Sequence, residues 1–168
     1  RTHKGSVLLV KFSPDGSKLI SYSSGNQDIG LWDLKDQRLI WKRPISFIQK
    51  ADEYYTLTSI AWSPDQRLIA TGSGNGTVQI WDAQTGNFVW IADVSKEHVA
   101  SVAFSPDGKT LAVGTCGIRN IACIQGEIRL WDIATHNYKS LLTHPNYVSS
   151  LTFAPNGQIL VSAAIDVF

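Results

Sequence analysis

Ser63-Pro64-Asp65-Gln66, then Leu68 to Ser73, then Gly74-Asn75-Gly76, then Ile80-Trp81-Asp82: this stretch decides the fold. Each piece has a backbone reason. Pro presets φ for a turn, and Asp hydrogen-bonds its own backbone there. Leu68 to Ser73 is a short aliphatic and small-residue run bounded by turn residues, which reads as a strand. Gly74-Asn75-Gly76 tolerates positive φ, so it suits a hairpin turn before a strand ending at Trp81-Asp82.

Outward from this stretch the same phrases recur. The turn returns as Ser13-Pro14-Asp15-Gly16, Ser105-Pro106-Asp107-Gly108 and Ala154-Pro155-Asn156-Gly157. The aromatic pair returns in Leu31-Trp32-Asp33 and Leu130-Trp131-Asp132. The Trp-Asp pairs lie 49 and 50 residues apart, and the turns 50, 42 and 49 apart. A fixed period of this length marks a repeat architecture. Before each turn an alternating or apolar stretch ends in an aromatic: Val7 to Phe12, Leu57 to Trp62, Val99 to Phe104 and Val148 to Phe153. Beyond the Trp-Asp pair, a polar link such as Ala83-Gln84-Thr85-Gly86-Asn87 leads to a fourth strand, Phe88 to Ala92. No stretch carries a helical period. The reading is all-β, with four short antiparallel strands per unit.

Composition narrows the function. The chain has 168 residues, 43% hydrophobic and 17% charged, which suffices for a core. A net charge of +1 gives no footprint for a polyanion, so no nucleic acid partner is expected. No apolar run is long enough to span a membrane, so none is expected to hold the chain. Arg1-Thr2-His3-Lys4-Gly5 has no apolar region behind it, so no secretory leader is expected and a cytoplasmic location is. Met is absent, and the chain is expected to be a segment of a longer protein. Two free thiols are the expected state of Cys116 and Cys123, with a hairpin disulfide and a metal site as weaker alternatives.

The turn phrase and the three Trp-Asp pairs resemble the WD-repeat (WD40) β-propeller family, over His3 to the last residue. The resemblance implies a propeller fragment of about three and a half blades across residues 1–168. Blade one is expected at about 3–43, blade two at 57–92, blade three at 98–142 and a truncated blade four at 144–168. Open blade edges expose unpaired strands and apolar faces, which makes self-association possible. The implied function is a protein-interaction scaffold for other proteins or peptides, with no cofactor and no enzymatic activity. A regulatory region of a larger multidomain enzyme or signalling protein is the alternative. A propeller enzyme in its own right ranks below both.

The resemblance also implies a structural hydrogen-bond set in each blade: a His, a Ser or Thr, an Asp, and the Trp. Blade one offers His3, Ser21, Asn26 and Trp32. Blade two has Glu53 at the His position, then Thr71, Asn75 and Trp81. Blade three has Ser95 and Val113 at the first two positions, leaving Trp131, with His98 displaced toward the strand. Blade four offers His144, Ser162 and Asp166. The last three resemble a nucleophilic triad in residue type, but such a triad also needs an exposed nucleophile and oxyanion donors. The structural role is the expected one.

Two connections are long. Trp32 to Ser63 is 31 residues, against 24 and 23 for the later links, which puts extra residues within Pro44 to Thr56. Ser105 to Trp131 is 26, against 19 and 18, which puts extra residues within Cys116 to Gln125. In an antiparallel meander both fall at the same end of the sheets. Insertions on one face of a repeat protein commonly form its binding surface. Phe47, Lys50, Tyr54 and Tyr55 in the first, with Ile118, Arg119 and Asn120 in the second, are the candidate partner-binding residues. Phe47, Tyr54 and Tyr55 could equally pack down on their own blade. Trp41 and Trp90 are read as aromatic cover on outer strands.

Overall fold

The computed structural model describes residues 3, 5–45, 56–94, 98–119 and 123–165. Among them every regular element is a strand, and none is a helix. The first sheet is β1 (Val7–Phe12), β2 (Lys18–Ser23), β3 (Asp28–Asp33) and β4 (Arg38–Pro44). The second is β5 (Leu57–Trp62), β6 (Leu68–Ser73), β7 (Thr77–Asp82) and β8 (Phe88–Asp93). The third is β9 (Val99–Phe104), β10 (Thr110–Arg119), β11 (Cys123–Asp132) and β12 (Tyr138–His144). β13 (Tyr147–Phe153) and β14 (Leu160–Ile165) form a two-stranded sheet. Each sheet is an antiparallel meander in chain order. This is the partial propeller that the repeat implies.

The repeated turns are closed by their own side chains. In the second sheet Ser63 Oγ donates to Asp65 Oδ1 at 2.6 Å and accepts from the Leu68 N–H at 2.9 Å. Ser105 and Asp107 repeat the arrangement at 2.6 Å, and Ser13 and Asp15 at 2.7 Å. A Ser and an Asp two residues apart therefore fix the hairpin that starts each of the first three sheets.

The core lies between sheets. One cluster joins Ile20, Ile29 and Leu31 of the first sheet to Leu57, Ile60 and Ile69 of the second. A second joins Val78 and Ile80 to Val99, Leu111 and Val113. A third joins Ala112 and Ile128 to Val148 and Leu151. Burying one such side chain contributes about 1.5–3 kcal/mol, and each sheet obtains it only from its neighbour. The first strands lie side by side, with β5 against β1 and β9, and β9 against β13. Ser59 Oγ accepts the Val102 N–H at 3.1 Å, and Ser101 Oγ accepts the Leu151 N–H at 3.0 Å, so one hydrogen bond repeats from sheet to sheet. The end sheets lack this cover on their outer faces. Val10 and Phe12 are 56% and 61% exposed, and Ile159 and Val161 are 56% and 52% exposed.

Candidate interaction site

Backbone hydrogen bonds define two ends of the molecule. At one end, Ile45 N donates to Gln27 O at 2.8 Å and Val94 N donates to Gly76 O at 3.0 Å. The links leaving β4 and β8 therefore start beside the β2–β3 and β6–β7 turns. At the other end, Leu34 N donates to Ser17 O, Ala83 N to Arg67 O and Ile133 N to Lys109 O, all within 2.8–3.0 Å. Both long connections belong to the first end. The second of them takes a form that residue counting did not anticipate. β10 and β11 run ten residues each, against six for β6 and β7, with pairing continuing to Arg119 and Cys123. The extra residues lengthen the hairpin itself, so Ile118 and Arg119 lie on the extended strand β10. Phe47, Lys50, Tyr54, Tyr55 and Asn120 lie outside the described residues.

Cys116 is buried and disulfide-bonded, which corrects the expectation of free thiols. The one other cysteine of the sequence, Cys123, opens β11, the strand that pairs with β10.

The first sheet holds a complete polar set at this end. His3 Nδ1 lies 2.7 Å from Asp28 Oδ1, and His3 Nε2 lies 2.8 Å from Ser21 Oγ. Trp32 Nε1 donates to the same Ser21 Oγ at 2.8 Å, and Lys42 Nζ lies 2.6 Å from Asp28 Oδ2. Asp28 takes the carboxylate place that Asn26 was expected to hold. Asn26 is exposed in the turn, whereas Asp28 opens β3 opposite Ser23, which directs its side chain inward. Sequence reasoning missed Asp28 and Lys42. The available signal was that Asp28 is the one carboxylate between Ser21 and Trp32. Burial acts to raise the Asp28 pKa, but hydrogen bonds from the side chains of Lys42, His3 and Asn26 outweigh it and hold the carboxylate below its ordinary range.

The other sheets carry less of the set. In the second, Trp81 Nε1 donates to Thr71 Oγ1 at 3.1 Å. Asn75 lies in the β6–β7 turn. It accepts from Ser73 Oγ, from Thr77 Oγ1 at 2.7 Å and from Thr77 N at 3.2 Å, closing its own turn. In the third, Val113 offers no hydroxyl, and the buried Trp131 Nε1 has no hydrogen-bond partner among the described residues. His98 instead meets Tyr147 Oη at 2.7 Å. His144 and Ser162 are not hydrogen-bonded to each other among the described residues, and Asp166 lies outside them, as do Glu53 and Ser95. His3, Ser21, Asp28, Trp32, Thr71 and Trp81 sit within or between sheets, where hydrogen bonds satisfy their polar groups.

Trp41 and Trp90 do more than cover their own strands. Trp41 Nε1 donates to Ala83 O in the second sheet at 3.0 Å, and the ring lies over Gly86. Trp90 reaches the third sheet, stacking on His136 with ring centroids 4.9 Å apart. Each outer-strand tryptophan thus latches onto the third turn of the next sheet.

The sequence profile described as WD domain, G-beta repeat matches four segments: residues 1–33, 46–82, 91–132 and 136–166. The chain belongs to the WD-repeat family. Three matched segments end at a Trp-Asp pair, so the outer strand of each sheet lies beyond the repeat that supplies the other three. The WD repeat-containing protein SL1-17 of Schistosoma mansoni is 33% identical over 164 residues, covering 98% of this chain and 49% of that protein. The solved structure described as Structure of U3-55K superposes with a TM-score of 0.78 at 20% identity, covering 98% of this chain and 47% of that one. The chain spans about half the length of each. WD-repeat propellers generally act as non-enzymatic scaffolds that bind other proteins. Among the described residues no helix is long and apolar enough to cross a membrane.

Proposed function

We propose that this chain is an interaction scaffold that recruits a protein partner through the end of the sheets carrying the two inserted connections. The extended β10–β11 hairpin carries this reading, because its two sister hairpins stop four residues sooner on each strand. Loops and extensions held on a rigid scaffold are where binding residues concentrate. The inserted segments supply Tyr54, Tyr55 and Arg119, residue types that anchor protein interfaces. The buried polar sets near this end hold the strands and leave recognition to what projects from them.

Cross-linking followed by mass spectrometry tests the proposal. A triple variant, Tyr54→Ala, Tyr55→Ala and Arg119→Ala, is compared with the unaltered chain. The expected result is loss of the cross-linked partner with an unchanged folded state. A partner set that survives the triple variant would overturn the proposal.

A further inference from the structure

The outer edges of the first and second sheets differ in one row of backbone groups. In an antiparallel sheet, successive residues of an edge strand turn their N–H and C=O alternately toward the neighbour and away from it. Ile45 N bonds to Gln27 O, so Arg43 and Trp41 face β3, while Pro44 and Lys42 face outward. Each outward position is partly closed. Pro44 has no N–H to offer, and the Arg43 guanidinium donates to Lys42 O at 2.9 Å. Proline and charged side chains are a common means by which edge strands avoid pairing with a foreign chain.

In β8 the same places are open. Val94 N bonds to Gly76 O, so Ala92 and Trp90 face β7, while Asp93 and Ile91 face outward. Asp93 stands opposite Thr77 as Pro44 stands opposite Asp28, and Ile91 stands opposite Gln79 as Lys42 stands opposite Gly30. Asp93 keeps the N–H that Pro44 lacks. Ala92, in the place of Arg43, is too short to reach a carbonyl. The outward N–H and C=O of Ile91 and Asp93 make no hydrogen bond among the described residues. The side chains give no guard either. Phe88 to Ala92 carries no charge, and Phe88, Val89 and Ile91 are 50%, 45% and 37% exposed. β12, by comparison, carries the exposed Lys139 near its start. A bulge where Ile80 gives way to Trp81 breaks the row toward Phe88, so the open window is Ile91 and Asp93.

Four backbone groups at strand spacing specify an extended polypeptide, because another strand presents donors and acceptors at the matching repeat. The exposed Asp93 carboxylate then selects among strands. No cation pairs with it among the described residues. Two copies of β8 joined through these groups would bring their Asp93 carboxylates to one face with no cation between them, so the charge favours a foreign strand. We propose that the open edge of β8 takes an extended segment of another protein as a fifth antiparallel strand, with a basic residue opposite Asp93 and a β-branched residue opposite Ile91. The main-chain bonds give affinity, and the two cross-strand pairs select the sequence. The edge uses no residue of the inserted connections, so it binds or fails independently of them.

The test uses the 168-residue chain and a capped probe peptide, acetyl-Thr-Lys-Thr-Val-Thr-Val-amide, followed by backbone amide signals in nitrogen-edited NMR. The expected result is a saturable shift of the Ile91 and Asp93 amides below about 1 mM probe, with slowed hydrogen exchange at both. Asp93→Pro copies the block found on β4 and is expected to abolish binding, read at Ile91. Asp93→Asn keeps the N–H and is expected to weaken binding about threefold, through loss of the charge pair. A probe with N-methylvaline at the first Val cannot donate to Ile91 O and is expected not to bind. The proposal is overturned if the Ile91 and Asp93 amides stay fixed up to about 1 mM probe. Equal binding by the N-methylated probe would mean side-chain docking and overturns it as well. So do shifts that follow the concentration of the chain without probe, since a second copy would then occupy the edge.

Discussion

Trp131 carries a buried indole N–H with no acceptor among the described residues, and Val113 stands where Ser21 and Thr71 supply a hydroxyl to Trp32 and Trp81. The backbone around the two sites matches, since Val113 pairs with Arg129 as Thr71 pairs with Gln79. Val113→Thr would place a hydroxyl that accepts from Trp131 Nε1 and donates to Arg129 O. A satisfied buried donor contributes about 1 kcal/mol. The variant is expected to raise the urea midpoint with an unchanged slope. A lowered midpoint would mean that the hydroxyl finds no such geometry.

The Asp28 set gives the first sheet an acid sensitivity. The Asp28 carboxylate is buried and its folded pKa lies below the ordinary value, so the folded state binds fewer protons there than the unfolded state. Its stabilisation is complete above the unfolded pKa of about 3.9 and is lost as pH falls through the lower folded value. Unfolding followed by tryptophan fluorescence is expected to show stability falling below about pH 4. Asp28→Asn removes that part of the slope and costs about 2 kcal/mol at neutral pH, because the neutral amide leaves one acceptor oxygen for Lys42 and His3 where the carboxylate had two. An acid profile identical in both proteins would place the sensitivity elsewhere.

Trp41 fixes what residue 86 can be. Gly86 has φ of 68°, and a Cβ added there would meet the Trp41 ring at 2.6 Å. Gly86→Ala is expected to cost about 1–3 kcal/mol, from both the backbone and the displaced ring. In the Trp41→Ala background the steric part disappears and the cost of Gly86→Ala shrinks. A double-mutant cycle reads the difference. Equal cost in both backgrounds would deny the latch.

The inner-strand serines make a separate prediction. Ser101 accepts the buried Leu151 N–H. Ser101→Ala leaves that N–H unpaired and is expected to cost about 1–2 kcal/mol. Amide exchange at Leu151 should quicken more than at neighbours on β14. Uniform exchange changes would show that the bond does not hold β13 in place.

The strands were legible in the sequence because their determinants are local. Pro, Asp and Gly at fixed offsets set the turns, and short aliphatic runs between them leave room only for strands. The fourfold turn phrase and the strands around it carried the sheet count, and the same-end position of the two long connections followed from parity alone. Counting within a turn, however, chose Asn26 over Asp28. A side chain's direction depends on strand register, which the pairing of Ser23 with Asp28 sets. The partners of Trp41 were out of reach for a related reason, since Ala83 and Gly86 are more than forty residues away in the chain. Lys18 and Ala83 are plain in the sequence, yet only the packing of one sheet on the next makes them two walls of one space. Sequence by itself determined the repeated strands and their turns, because backbone preference acts over a few residues. Tertiary structure alone decided which polar groups meet and where the gaps fall, because those depend on contacts between units fifty residues apart.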